Sequence, residues 1–174
     1  MTGHKTNLKR PPSAFDPAMG VLRAEQFQIA YATNDIDQAQ SLFAHKLGIT
    51  QWRALGGPTA EGGEIAVRLA WVGPTMYELI TCTGPGGELY MDRLPAGAGF
   101  KLKHHHLGLL IHDEAEWNAL LAEAEAKGHK IPRISLNAQF MTSCFVDVPE
   151  LGHYLEYLWP AQAGKDFFEA VPGN

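Results

Sequence analysis

The sequence has few cysteines and no long apolar run, and these absences narrow the class of protein. Only two cysteines occur among the 174 residues, Cys82 and Cys144, and they lack C-x-x-C spacing. This argues against a disulfide framework or a zinc knuckle and predicts reduced thiols in strands. No apolar run approaches the roughly 20 residues that a membrane-spanning helix needs, and the N-terminus shows no secretory signal. We therefore expect a cytoplasmic protein without a membrane partner.

Positive charge is also scarce in this chain. Fourteen lysines and arginines stand against 19 aspartates and glutamates, which gives a formal net charge of -5 at pH 7. A protein without a basic patch has no electrostatic attraction to phosphate backbones, so nucleic acid is not an expected partner. The 45% share of hydrophobic residues suffices for the core of one compact domain.

The chain does contain an internal repeat, which determines how the rest is interpreted. An apolar strand that opens with His106 has a counterpart that opens with Gln28, 78 positions earlier. The same shift relates Glu156 to Glu78, and each of these carboxylates interrupts an otherwise apolar strand. Four side chains that can bind a metal thus occupy matched positions in the two halves.

Each half of the repeat predicts the element order βαβββ. Asp35 and Asp113 are placed to cap a helix at its N-terminus, and Gly48 and Gly128 are placed to end it. Glycine and proline then separate three further strands per half, near residues 50–55, 64–71 and 75–81, and near 131–136, 138–146 and 153–158. The fold class predicted is α+β, with two βαβββ units.

The predicted boundaries divide the chain into an arm, one domain and a tail. Residues 1–25 lack periodicity and are interpreted as an N-terminal arm. The domain covers residues 26–159, with units at about 26–82 and 104–159 and a glycine-rich connection between them that could form a lid. In the C-terminal tail, residues 160–174, the aromatic pair at 167–168 is expected to dock on the surface.

Glu78 and Glu156 are the residues that indicate chemistry. A carboxylate among apolar neighbours costs several kcal/mol unless a cation or hydrogen bonds compensate. A divalent cation would compensate both at once, and the amide of Gln28 and the imidazole of His106 would fill further coordination positions. The alternative is that both carboxylates face solvent, but their matched spacing favours a metal site.

Strand alternation assigns the neighbours of these residues to faces. His104 shares the parity of His106 and is predicted to line the cleft, whereas His105 is predicted to point away. Met76 and Tyr154 share the parity of the glutamates, as cleft walls or as ordinary core. Small side chains beside the ligands are expected to leave space for a substrate: Ala30, Ala32 and Gly108. Bulky residues of the first strand, Phe27 among them, are placed on the opposite face.

These features together resemble the vicinal oxygen chelate superfamily, over about residues 26–159. Its members include glyoxalase I, methylmalonyl-CoA epimerase, extradiol dioxygenases and fosfomycin or bleomycin resistance proteins. The Glu-Leu-Ile strand, the glycine-rich segment with Tyr90 and the His-His-Leu-Gly stretch are most similar to the epimerase and glyoxalase branch. The resemblance implies a curved sheet that encloses one metal ion, bound by Gln28, Glu78, His106 and Glu156.

The ligand set distinguishes between the chemistries of that superfamily. It is similar to the set of zinc-type glyoxalase I, which implies zinc, with nickel, cobalt or manganese as alternatives. The resemblance implies proton transfer beside a metal-bound carbonyl, with Glu156 or Glu78 as the base once it loosens from the metal. Extradiol dioxygenases use two histidines and one carboxylate around iron, so Gln28 argues against an oxygenase.

The sequence also departs from the family pattern. The usual Asp-Pro-x-Gly-Asn turn is replaced by the segment at 148–153, and arginines are scattered singly, at Arg53, Arg68 and Arg133. No basic cluster is available for coenzyme A phosphates or glutathione carboxylates, so the expected substrate is a small, fairly apolar oxygenated molecule. A non-catalytic binder or resistance protein and a metal-dependent transferase remain alternatives. A homodimer is expected, and the halves could pair within or across chains.

Overall fold

Residues 20–174 are described by the computed structural model, and their strands form one curved eight-stranded sheet. In chain order the elements are β1 (Glu25–Thr33), α1 (Ile36–Leu47), β2 (Arg53–Pro58), β3 (Glu64–Val72), β4 (Thr75–Thr83), α2 (Glu88–Met91), β5 (Leu102–Leu110), α3 (Glu114–Ala126), β6 (Lys130–Ser135), β7 (Met141–Val148), β8 (His153–Pro160) and α4 (Gln162–Glu169). The order across the sheet is β2-β3-β4-β1-β5-β8-β7-β6. The predicted pair of βαβββ units is therefore confirmed, with α2 added in the connection.

The two long helices begin where the sequence predicts. The carboxylate of Asp35 accepts a hydrogen bond from Gln38 N at 2.9 Å, and that of Asp113 accepts one from Glu116 N at 2.8 Å. Each bond satisfies one of the N–H groups that a helix leaves free at its start. Gly48 ends α1 in the left-handed region with φ 72°, where glycine meets no steric penalty.

The two halves pair within one chain, which the sequence left open. β1 and β5 run antiparallel at the centre of the sheet, while β4 pairs with β1 and β8 pairs with β5 in parallel. Opposite Gln28 on β5 stands Gly108, and opposite His106 on β1 stands Ala30. This reciprocal register relates the halves by an approximate two-fold axis, and the four strands that carry the ligand-type residues are the four central ones.

The two innermost strands, β1 and β5, each contain a bulge next to the ligand-type residue. The β1–β5 register slips by one residue at Phe27 and again at His105, the positions just before Gln28 and His106. A bulge inserts an unpaired residue and re-aims the side chains around it. His105 therefore lies on the face of His106, with their Nδ1 atoms 2.8 Å apart, and Phe27 packs against Trp71 of the inner face. The predictions that His105 and Phe27 point away from the ligand-type residues were wrong.

Hydrophobic clusters cover both faces of the sheet. On the outer face, α1 packs over the first half around Phe43, and α3 packs over the second half around Trp117 and Leu120. On the inner face the aromatic pair of α4, residues 167–168, packs against a cluster around Met76, as expected for docking. None of the described helices is long and apolar enough to cross a bilayer.

The structure also shows the end of the predicted arm and the positions of both cysteines. Val21 and Ala24 are buried in the outer cluster of the second half, so the predicted arm joins the core before residue 25. The remainder of that arm, residues 1–19, lies outside the described residues. Cys82 on β4 and Cys144 on β7 are buried free thiols, and burial raises the pKa of both.

Candidate metal centre

The four ligand-type side chains lie together on the inner face of the sheet. Gln28, Glu78, His106 and Glu156 come from β1, β4, β5 and β8, and they line one cavity of about 160 Å³. They are 1%, 7%, 0% and 9% exposed, in the same order. Burial of this degree is rare for carboxylates without partners, and it excludes the alternative that the glutamates face solvent.

Small residues separate the ligand-type side chains in the sheet. Across one row of the register Gly108 stands between Gln28 and Glu156, and across the next row Ala30 stands between Glu78 and His106. A Cβ added to Gly108 would lie 2.4 Å from Gln28 Oε1. Gln28 thus occupies the space that a side chain at 108 would take. The predicted room for substrate at Gly108 is filled by the protein itself.

The side chains form two contacting pairs, one from each half of the chain. In the first pair Gln28 Nε2 donates a hydrogen bond to Glu78 Oε2 at 2.6 Å. In the second pair His106 Nε2 lies 2.9 Å from Glu156 Oε2, but the two groups do not meet in hydrogen-bond geometry. Two buried polar atoms are left without a partner, Gln28 Oε1 and His106 Nε2. An unsatisfied buried atom costs about 1–3 kcal/mol, so both are available to a ligand.

Burial also changes the ionisation of these groups. Removal from water raises the pKa of Glu78 to about 7 and that of Glu156 to about 8, and it lowers the pKa of His106 to about 4. Within residues 20–174 no lysine or arginine forms an ion pair with either carboxylate. A cation bound between the pairs would therefore be the main source of compensating charge.

The donor set fits a divalent transition metal. One amide oxygen, one imidazole nitrogen and two carboxylates suit zinc, nickel, cobalt or manganese. Two ligands that each lie about 2.1 Å from a metal are roughly 3.0–3.4 Å apart, close to the separation within the second pair. In the part of the chain that is described, no three His, Cys, Asp or Glu side chains already converge as a metal cluster. The unpartnered atoms Gln28 Oε1 and His106 Nε2, one from each pair, are the donors that a metal ion would engage first.

The remaining walls of the cavity are mostly apolar. They come from both halves of the sheet, from the connection and from α4: Leu55, Ile65, Val67, Leu69, Ile80, Tyr90, Phe140, Met141, Leu158 and Phe168. A dry void of about 150 Å³ accommodates a molecule about the size of benzene. The cavity thus accommodates a small ligand that is apolar apart from the groups it directs at the two pairs.

Comparisons with known proteins bear on the fold. No family model and no curated protein matches the sequence. Methylmalonyl-CoA epimerase from Mycobacterium tuberculosis is similar in structure, with TM-score 0.53 and 14% identity over 78% of this chain and 87% of that one. A Streptomyces coelicolor methylmalonyl-CoA epimerase variant in complex with 2-nitronate-propionyl-CoA has TM-score 0.54 and 14% identity over 79% and 98%. A mutant 4-hydroxymandelate synthase from Streptomyces coelicolor has TM-score 0.53 and 10% identity over 79% and 49%.

The chain has the vicinal oxygen chelate fold. The resemblance drawn from the repeat is confirmed at this level, although the sequences have diverged widely. Because identities of 10–14% show the fold alone, the roles of individual residues rest on the geometry of this chain.

Three residues that were candidates for the cleft do not line the cavity: His104, Met76 and Tyr154. His104 packs against Tyr31 and His153 on the side of α1, because the bulge at His105 reverses its direction. The prediction that His104 lines the cleft was wrong. Met76 and Tyr154 share the face of the ligands, but neither lines the cavity, so they act as core packing beside it.

Other cavity residues of this fold were missed or misplaced by sequence reasoning. Tyr90 lies on α2, in the connection interpreted as a lid, and it packs against His105 while lining the cavity. Phe168 belongs to the tail that was expected only to dock on the surface. Aromatic residues within glycine-rich or tail segments were the available signal, but nothing local to the sequence shows which strand they cover.

Proposed function

We propose that the protein binds one divalent metal ion and catalyses proton transfer beside a carbonyl in a small, fairly apolar substrate. Gln28 Oε1, His106 Nε2 and one oxygen each from Glu78 and Glu156 would hold the ion. The observation that carries the proposal is the presence of two unpartnered donor atoms beside two buried carboxylates in an apolar cavity. Zinc is the first candidate for the ion.

The cavity favours a catalytic role over a structural one. Structural metal sites are closed off by protein, whereas catalytic sites keep a position beside the ion open to a water or a substrate. The cavity of about 160 Å³ reaches all four side chains, so a carbonyl compound could enter beside them. A bound ion would polarise a substrate oxygen and increase the acidity of the neighbouring C–H.

Glu156 is the better candidate for the base. Glu78 is held by the amide of Gln28 at 2.6 Å, whereas Glu156 accepts no hydrogen bond in good geometry from His106. A carboxylate that loosens from an ion returns to the apolar surroundings that raise its pKa, and a base is most effective when its pKa is near the working pH. Glu156 can therefore accept a proton from carbon and return it, while the apolar walls limit access of water.

The relatives of known structure support this reaction class without naming the substrate. Two of the three structures named above are methylmalonyl-CoA epimerases, and one of these is in complex with 2-nitronate-propionyl-CoA. In this chain the apolar cavity is too small to enclose coenzyme A, so only an acyl-sized group would enter it. An iron oxygenase is disfavoured, because the common two-histidine, one-carboxylate set is replaced by a set with a single histidine and an amide.

Removal of the metal and its replacement test the proposal. The protein is freed of metal with a chelator, and Zn, Ni, Co or Mn is added back. Incorporation of deuterium from solvent into a panel of small α-hydroxycarbonyl and α-methyl acyl compounds is followed by NMR. Exchange that depends on the metal supports the enzyme. Full exchange in the metal-free protein would disprove it, and binding without exchange would identify a passive binding protein.

Assembly and location remain separate proposals. The edges of the sheet are β2 and β6, and unpaired edges can join through symmetric contacts, so we propose a homodimer. Sedimentation equilibrium would test it, and a monomer at all concentrations would contradict it. A cytoplasmic location is proposed on the same footing and can be tested by cell fractionation.

A further inference from the structure

The two adjacent histidines of β5 form a buried hydrogen-bonded chain behind the candidate metal centre. His105 Nε2 lies 2.9 Å from the carbonyl oxygen of Leu89, and His105 Nδ1 lies 2.8 Å from His106 Nδ1. The other nitrogen of His106, Nε2, faces Glu156. Both rings are buried, so water has little access to them.

The direction of each hydrogen bond follows from the last acceptor, the carbonyl oxygen of Leu89. A backbone carbonyl can only accept, so His105 Nε2 must carry a hydrogen and donate it to Leu89. A neutral imidazole with its hydrogen on Nε2 has a lone pair on Nδ1. His106 Nδ1 must therefore carry a hydrogen and donate it to His105. It follows that neutral His106 has no hydrogen on Nε2, the atom that lies beside Glu156.

Neighbouring aromatic rings and the helix α2 hold this hydrogen-bonded pair of histidines in place. The ring of His105 packs among the aromatic rings of Tyr90, Phe145 and Tyr154, with centroid distances of 5.9, 5.9 and 5.3 Å. The accepting carbonyl belongs to α2, in the connection between the halves. The bulge at His105 is what brings its ring onto this face. Rotation of either ring would break a buried hydrogen bond.

We propose that His105 is a positioning residue that holds His106 in the tautomer with hydrogen on Nδ1, so that Nε2 presents a lone pair to the candidate metal centre. The inference rests on the proposed function for its purpose, because a metal ligand needs that lone pair. Partners of this kind, on the far nitrogen of a metal-binding histidine, typically raise metal affinity by about 10–100-fold.

Nitrogen NMR of the metal-free, ¹⁵N-histidine-labelled protein tests the tautomers directly. The wild-type protein is expected to show His106 with hydrogen on Nδ1 and His105 with hydrogen on Nε2. In His105→Phe the acceptor is lost, and His106 is expected to shift toward the form with hydrogen on Nε2. In His105→Gln, an amide can accept from His106 and donate to Leu89, so the original tautomer is expected to return.

Titration with zinc provides the second readout. The affinity of His105→Phe should fall by about 10–100-fold, while His105→Gln should stay near the wild-type value. His104→Phe is the matched control, because that ring contacts the His106 carbonyl and not its ring. Hydrogen on Nε2 of His106 in the wild-type protein, or an unchanged tautomer in His105→Phe, would overturn the inference. Wild-type protein that shows the expected tautomers but binds no metal would instead refute the proposed function.

Discussion

The two halves of the molecule share one backbone plan and differ in chemistry. Each has a central strand with a bulge, then a ligand-type residue, and a parallel neighbour with a buried glutamate. In the first half the amide of Gln28 donates to Glu78 and fixes it. In the second half His106 Nε2 lies 2.9 Å from Glu156 Oε2 without hydrogen-bond geometry, so the histidine does not fix this carboxylate. The difference supports the proposed roles, in which Glu78 is the anchored carboxylate and Glu156 is the base.

Replacing Glu156 and Glu78 in turn should give the largest difference between the two halves. Glu156→Gln is expected to lower the rate of metal-dependent deuterium exchange by about 10²–10⁴-fold, the usual contribution of a general base. Glu78→Gln should mainly weaken metal binding, because Glu78 is the anchored carboxylate. Rates at saturating metal separate the two effects. Glu114→Gln, an exposed change on α3, is the control, and equal losses at saturating metal for both site variants would contradict the division of roles.

The dependence of stability on pH should reveal the same difference in the metal-free protein. Raised carboxyl pKa values mean that the folded state binds more protons than the unfolded state, so stability falls as pH rises toward about 7 for Glu78 and about 8 for Glu156. His105 and His106, with lowered pKa values of about 3 and 4, act in the opposite sense below pH 6.5. From pH 6.5 to 8.5 the carboxyl effect is the largest one. We expect a loss on the order of 2 kcal/mol.

Urea unfolding at several pH values measures this loss. Glu156→Gln should remove most of it and Glu78→Gln less, because the folded pKa of Glu156 is higher. Saturating zinc should reverse the slope, since the metal binds the ionised carboxylates. A metal-free protein whose stability is flat or rises between pH 6.5 and 8.5 would show that the carboxylates are ionised without a cation.

Gly108 and Ala30, the small residues between the ligand-type side chains, allow a further matched pair of substitutions. Gly108→Ala would place a methyl group against Gln28 Oε1 and force that side chain away, so zinc affinity should fall by about 10-fold or more. Ala30→Gly at the equivalent position opens space, and it should cost only about 0.5–1 kcal/mol of stability. Calorimetric zinc titration and urea unfolding distinguish these effects. Unchanged zinc affinity in Gly108→Ala would place Gln28 outside the metal site.

The repeat, the helices and strands, and the four ligand-type residues could be predicted from the sequence, because periodicity and spacing are local or additive signals. It failed at His104, His105 and Phe27, because a bulge is a property of two paired strands and leaves no mark in the alternation of one. It also could not place Tyr90 or Phe168, whose positions depend on how the connection and the tail fold back. The residues placed wrongly or missed are therefore those whose positions depend on strand pairing or on tertiary contacts.

The smallest expected effect concerns the outer face, where the two halves should behave alike. Asp35→Ala and Asp113→Ala each remove one side-chain cap from a long helix, at a cost of about 1 kcal/mol or about 2–4 °C in Tm. Glu116 also bonds back to His112 N at 2.8 Å in the second half, so some order at the start of α3 should survive Asp113→Ala. Thermal unfolding of each variant would be measured together with its metal-dependent deuterium exchange into substrate. Because both caps lie at the starts of outer helices, exchange rates should stay at the wild-type level, and a selective loss in one variant would show that asymmetry extends beyond the metal centre.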